Sequence, residues 1–585
     1  MRRDSTAGGR RPVAGIWLAI AAVACTSAPG SLPGAPAAWP YPGDAAPVTA
    51  ARAMVVTTDD FATHVGLDVL RAGGNAVDAA VAVHFALAVV NPAAGNVGGG
   101  GFLVARLADG ETVSLDFREK APLAAARDMY LDAEGNLTDR SLLGHLASGV
   151  PGSVMGMWEA HRRYGTRPWA DLVRPAVELA EGFEVTERFL GWLSDGTARD
   201  LAQFPASAAQ FLPRDGRPPR VGDTLRQPDL AVTLERIRSR GPPGFYEGET
   251  ADLIVAEMER GGGIISHEDL AAYEAVWREP ITFTYRDHTV VSMPPSSSGG
   301  ATMAEIAHIL ERYDLAAMGF HSTETIHLYA EAWKRAYADR NQYLADPDFV
   351  DVPVERLTSP AYADERAASI TMTSATPSSE VAPGLEAARA ESPSTTHYSI
   401  LDANGNAVTV TTTLNSLFGS KVTVTGAGFL LNNEMDDFSA LPGAPNQFGL
   451  VQGEQNAVEP GKRMLSAMTP TIVLAPDGSV RMVTGTPGGS TIITTVFQTI
   501  SNVLDFGMNV VQAVDAPRVH HQHLPDEIAY EVGGLVPATV RGLEALGHTV
   551  RERQGDSGDV QMILVEDSLL TARSDPRRGG SAAGY

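Results

Sequence analysis

The sequence predicts an α+β fold, and two observations predict it. Helical patterns dominate most of the first 350 residues, and three pairs of β-rich runs are each joined by a glycine-containing turn. The turns are Asp109-Gly110, Asn404-Gly405 and Pro476-Asp477-Gly478. With 585 residues the chain admits either several domains or one large intertwined unit, and an apolar share of 44% is ample for a core. A formal charge of −25 argues against a nucleic-acid partner, which needs clustered lysine and arginine.

Arg2, Arg3, Arg10 and Arg11 precede an apolar run from Val13 to Ala24, the layout of a secretory signal and too short for a comfortable span. Removing residues 1–24 takes the formal charge to −28. The only cysteine, Cys25, follows Ala22-Val23-Ala24, which is similar to a bacterial lipoprotein cleavage site and makes Cys25 a candidate lipid anchor. Export is expected, to the periplasm or the outer membrane. Residues 25–48 carry Pro29, Pro33, Pro36, Pro40, Pro42 and Pro47 among Gly, Ala and Ser, and read as a tether with no core of its own.

Phe61–Ala72 and Ala76–Val90 read as helices, the first ended by Gly73-Gly74 and the second capped by Asn75 and stopped at Asn91-Pro92. The second is apolar nearly all round, so it is buried; His84 within it reads as a core histidine. The run Gly95–Gly101 lacks the preceding strand of a nucleotide fingerprint and reads as close backbone packing. Phe102–Leu107 and Thr112–Phe117 form a hairpin, with Arg118 directly after it in Leu-Asp-Phe-Arg-Glu-Lys-Ala-Pro. Residues 150–350 look mainly helical, and 371–394 are rich in Ser, Ala, Pro and Thr, as a flexible tail would be.

In the hairpin centred on Asn404-Gly405, positions summing to about 809 should face each other, which sets Thr395 opposite Leu414 with Thr413 and Asn415 alongside. A hydroxyl needs a base to act near neutrality. A chain break before Thr395 would supply one, since a free α-amine titrates at about 7.7–8.0. Thr-rich alternation is also ordinary β-propensity. Further on, Glu434 and Asp437 stand three apart on a polar loop, fit either to clamp an ammonium or to form a solvated turn. Thr471–Leu474 and Val480–Thr484 form another hairpin, followed by Gly485–Ser490 and a helix through Leu504. That turn aims free N–H groups at one point. His520, His521 and His523 lack metalloprotease spacing and read as structural, and Gly555–Gly558 only superficially matches a serine-protease segment.

Three motifs carry a resemblance to a known family. Thr-Thr-His-Tyr-Ser at 395–399, Thr-x-Thr-Leu-Asn at 411–415 and Leu-Leu-Asn-Asn-Glu-Met-Asp-Asp-Phe-Ser at 430–439 resemble γ-glutamyltranspeptidase, also called glutathione hydrolase. The resemblance runs from about residue 50 to Tyr585. It implies an N-terminal-nucleophile hydrolase: a four-layer αββα sandwich, one intertwined unit made from a precursor that cuts itself before Thr395. The large subunit would be 49–394 and the small one 395–585.

It further implies that Thr395 attacks a γ-glutamyl amide, that Thr413 orients it, and that Gly488 and Gly489 form the oxyanion hole. Arg118 and Ser466 would hold the substrate's α-carboxylate. Asn415, Glu434 and Asp437 would hold its amine, with Thr411 alongside. Glutathione is the implied donor, amino acids or peptides the acceptors, and no metal or organic cofactor is implied. Two departures stand out: Ala467 follows Ser466 where the family usually has a second serine, and Phe448 replaces a tyrosine of some relatives in the lid loop 442–453. A glutaryl acylase of the same fold and a non-catalytic envelope-binding lipoprotein are the alternatives.

Overall fold

The computed structural model describes Leu32, residues 34–382, 395–566 and 568–585. The signal at 1–24, Cys25, Ser394 and the tail beyond residue 382 lie outside the described residues. None of the helices described is long and apolar enough to cross a membrane.

Two seven-stranded antiparallel sheets lie face to face between helical layers. The first runs Ser581–Gly584, Met54–Thr57, Thr395–Leu401, Ala407–Thr413, Gly100–Arg106, Thr112–Phe117 and Val276–Arg278. The second runs Val48–Ala50, Leu569–Ser574, Gln561–Glu566, Val480–Thr484, Thr471–Leu474, His288–Ser292 and Ile281–Tyr285. Helix Ala76–Val90 backs the first sheet, with all fifteen of its residues buried, and Asn75 caps it in a reciprocal box with Asp78. Helices Gly299–Leu310 and Thr491–Leu504 share a core with the second sheet. The expected four-layer sandwich is therefore present.

Strand alternation sorts the central hairpin by chemistry. Tyr398, Ile400, Val408 and Val410 face the helical layer and join its apolar core. His397, Ser399, Thr409 and Thr411 point the other way, between the sheets. There Thr409 Oγ1 donates to Thr484 O (3.3 Å), Ser399 Oγ donates to Gln561 O (2.9 Å), and His397 Nδ1 lies 2.9 Å from Thr411 Oγ1. A polar layer buried this completely is tolerable only because its members bond one another and the facing strands.

Three expectations are corrected. The hairpin register sums to 808, so Thr395 faces Thr413 and not Leu414, because the loop Asp402–Asn406 holds five residues, closed by Leu401 pairing with Ala407. Residues 150–350 also contribute the strands Ile281–Tyr285 and His288–Ser292, which a predominantly helical reading passed over. The tether is in part docked: Trp39 is 7% exposed, its Nε1 donates to Asp515 O (2.9 Å), and Arg577 lies 5.4 Å from its ring centroid. An indole contributes far more apolar surface to a core than the proline, glycine and alanine around it.

Candidate active site

Thr395 opens the central strand, and its Oγ1 lies 3.4 Å from Thr413 Oγ1 across the ladder. Thr413 Oγ1 accepts from Asn415 N (2.7 Å), which locks that hydroxyl at the strand end. Asn415 takes φ of 73°, a left-handed conformation that asparagine tolerates better than most residues, and donates from Nδ2 to Asn433 O (3.1 Å). The strand end is thereby tied to the segment bearing the two acids.

That segment is held from beneath by the glycine run. A Cβ on Gly98 would fall 2.1 Å from Leu430 O, and one on Gly99 would fall 2.1 Å from Thr413 O. Only a residue without a side chain lets the backbones approach so closely. Asn432 fastens the same layers: its Nδ2 donates to Gly98 O (2.9 Å) and Gly149 O (2.8 Å), while its Oδ1 accepts from Glu434 N (3.0 Å). Glu434–Asp437 is consequently a buried 3₁₀ turn and not a solvated one.

Arg118, fully buried at the end of Thr112–Phe117, donates from Nη1 to Glu434 and from Nη2 to Asp437. Its Nε reaches Met464 O (3.3 Å), and Tyr273 donates to its carbonyl (2.7 Å). Burial pulls the guanidinium's pKa down, but the charges of Glu434, Asp437 and Glu119 outweigh it and hold the group above its ordinary value. Burial drives both Glu434 and Asp437 up, with Arg118 opposing. Glu119, 3.7 Å from Arg118, is pushed by burial up to about 8, and neither of its carboxylate oxygens has a hydrogen-bond partner among the described residues.

A narrow cleft joins these groups. Arg118, Thr395, Thr413, Asn415, Glu434 and Asp437 line it. Asn446, Phe448, Ser466, Ala467, Gly489 and Arg340 line it as well. Gly488 sits one residue behind Gly489, and Gly558 of the spurious protease-like motif packs beneath the turn, 3.6 Å from where a Gly488 Cβ would be. The cleft's free volume is about 20 Å³, room for about one water.

Thr411 is not part of the cleft wall. It shares a strand face with Thr413, but two residues further from the strand end it is buried against His397. One charged neighbour of the cleft and one residue of its wall were not singled out from the sequence. Glu119 stands beside Arg118 in the motif already quoted; Arg340 lies on a helix that read as structural, and an arginine amid the buried face of Thr323–Tyr343 was its only signal.

The histidines near residue 520 are held structurally: His520 Nδ1 lies 2.8 Å from Thr494 Oγ1, His521 Nε2 3.2 Å from Asp526, and His523 Nε2 3.0 Å from Ser378 O. Among the described residues one group, His327, Glu331 and His548, has metal-like spacing. It lies outside the cleft wall, and Glu331 is already paired with Lys334 and Arg335.

Comparison with known proteins agrees with this geometry. Residues 62–585 match the family model described as gamma-glutamyltranspeptidase. A glutathione hydrolase proenzyme of Escherichia coli (strain K12) is 49% identical, over 96% of this chain and 97% of that protein. An acylase ACY 1 proenzyme of Pseudomonas sp. (strain V22) is 39% identical over 92% and 94%. Among solved structures, a cephalosporin acylase from Bacillus halodurans superposes with a TM-score of 0.82 at 29% identity, covering 94% of this chain and 99% of that one. The chain belongs to the gamma-glutamyltranspeptidase family.

Proposed function

We propose that the protein is a self-processing γ-glutamyl hydrolase and transferase, acting on glutathione and related γ-glutamyl amides through an ester on Thr395. The observation that carries this reading is the buried pairing of Arg118 with Glu434 and Asp437 at a cleft that Thr395 and Thr413 also line. In the free protein the cation bonds both acids, leaving Glu434 Oε2 without a hydrogen-bond partner among the described residues. A γ-glutamyl group brings the complementary pair: its α-carboxylate takes over Arg118, and its α-ammonium takes over Glu434 and Asp437. A buried charge stripped of its partner costs about 3–5 kcal/mol, so the site favours a zwitterion over a lone carboxylate.

Scission between Ser394 and Thr395 frees the α-amine of Thr395. Thr395 Oγ1 then attacks the γ-carbonyl while that amine accepts the hydroxyl proton, and the oxyanion is met by the N–H groups at Gly488 and Gly489. Collapse breaks the C–N bond, with the proton passing to the departing nitrogen. Water, or the amine of an amino acid or peptide, attacks the ester in the same way and releases glutamate or a new γ-glutamyl amide. Thr413, fixed by Asn415 N, holds the nucleophile's oxygen. Admitting a substrate into so small a free volume requires the walls to move, and the loop 442–453 carrying Phe448 is the wall assigned to do so.

The subunits are 49–394 and 395–585, and the sheet supports their remaining joined: strands from the first part border the central hairpin on both sides. Export, with lipid attachment at Cys25, belongs to the same reading. The acylase reading is favoured by the likeness to cephalosporin acylase, but a glutaryl group has no ammonium to offer the two acids. The test is a denaturing gel with N-terminal sequencing. The purified protein should yield a smaller band beginning at Thr395, absent in Thr395→Ala; an unbroken polypeptide that still cleaves glutathione overturns the mechanism.

A further inference from the structure

The cleft contains a second cation that the γ-glutamyl reading leaves unused. Arg118, Arg335, Arg340 and Arg463 are among the largest fully buried side chains. Three of them have a carboxylate within ion-pair distance: Glu434 for Arg118, Glu331 for Arg335 and Asp116 for Arg463. Arg340 has none among the described residues. Its bonds go to neutral oxygens, from Nε to Ser298 Oγ (2.9 Å) and from Nη1 to Asn341 Oδ1 (2.9 Å). Burial lowers its pKa to about 10, which leaves it charged at neutral pH. A buried guanidinium with no carboxylate at ion-pair distance, offset only in part by the longer-range charge of Asp437, is costly to maintain, and this one lines the cleft that admits an anion.

The position of Arg340 is fixed by the substrate-binding backbone itself. Ser298, which accepts from its Nε, donates from Oγ to Ser466 O (2.6 Å) and from N to the same oxygen (2.8 Å). Ser298 therefore bridges Arg340 to Ser466. Ala467 lines the cleft beside them and offers no hydroxyl.

We propose that Arg340 is a specificity residue whose guanidinium, together with Arg118 and Ser466, receives the substrate's α-carboxylate. This rests on the γ-glutamyl reading and adds a residue to it. The carboxylate then meets two of the cations that line the cleft. Glu434 and Asp437 are left for the ammonium.

The test compares three anilides on the processed protein, on Arg340→Gln and on Arg340→Lys. These are γ-glutamyl anilide, 4-aminobutanoyl anilide, which lacks the α-carboxylate, and glutaryl anilide, which lacks the amine. Arg340→Gln should raise KM for γ-glutamyl anilide about 10- to 100-fold with kcat little changed, and leave kcat/KM for 4-aminobutanoyl anilide unaltered. Arg340→Lys should recover part of the loss. An equal fall on both substrates, or an unchanged KM for the first, overturns the proposal. If Arg340→Gln fails to fold or process, the same two-substrate ratio measured on Arg340→Lys decides. A wild-type protein inert toward γ-glutamyl anilide refutes the underlying reading alone; glutaryl anilide then serves as the carboxylate-bearing probe, with the same KM shift required.

Discussion

Replacing Asp437 by asparagine tests the half of the proposed site that would separate an amino-bearing substrate from a plain dicarboxylate. The turn should survive the change. Its backbone is held at the Asp437 carbonyl, which accepts from Asn456 Nδ2 (2.7 Å) and Gln452 Nε2 (3.3 Å), and Arg118 retains Glu434. What disappears is one charge-assisted hydrogen bond to the substrate's ammonium, about 1.5–3 kcal/mol, or about 10- to 150-fold in affinity. Steady-state kinetics on γ-glutamyl and glutaryl anilides read this directly. KM for the first should rise by that factor, whereas glutaryl anilide, which presents only negative charge to the acids, should bind equally well or better. A uniform loss on both substrates would show that Asp437 acts through the shape of the turn, and equal KM values on γ-glutamyl anilide before and after would remove it from recognition.

Two further outcomes follow from the packing around the hairpin. Gly99→Ala drives a Cβ to 2.1 Å from Thr413 O and should cost about 1–3 kcal/mol in stability while slowing scission before Thr395; Gly191→Ala, with nothing within 4 Å, should do neither, and matching urea midpoints for the two variants would refute the close-packing argument. Burial holds the His397 imidazole at about 3, against about 6.5 when unfolded, so below pH 6.5 the unfolded chain takes up a proton that the folded one refuses. Its contribution is complete above pH 6.5 and is lost by about 1.4 kcal/mol per pH unit as pH falls toward 3. In urea titrations the deficit of His397→Asn relative to wild type should shrink by that amount per unit between pH 6 and 4, and a constant deficit would contradict it.

Local signals carried much of the architecture because they are local. The Asn75 cap, the all-round apolar helix 76–90, the turns at Asp109-Gly110 and Pro476-Asp477-Gly478 and the helix after Ser490 each depend on a few adjacent residues. Register was off by one because an Asn-Gly pair marks a turn but not the length of its loop. Long-range facts were beyond reach: Trp39 meets its partner carbonyl 476 residues away, and Arg340 faces the cleft only once helix 323–343 has packed across Ser298. Thr411 was grouped with Thr413 by motif, and only the distance from the strand end separates a residue lining a cleft from one bonded to a buried histidine.

The pairing of the central strand also bears on why a scission can occur at its start without loosening the sheet. Tyr398–Leu401 are bordered on both sides, by Thr57–Met54 and by Val410–Ala407, so the strand's second half is bound into the sheet interior. Thr395, Thr396 and His397 pair only with Thr413, Thr412 and Thr411. On the open side Thr396 Oγ1 meets Thr58 Oγ1 at 2.7 Å, a side-chain bond in place of a ladder. On the proposed mechanism a new N-terminus at Thr395 would stay in register through one flank and its Thr396 contact, while its α-amine would not be consumed by a neighbouring strand on the other. In the proposed mechanism this half-paired start is what would let one residue be held in place as nucleophile and still present a free amine as base.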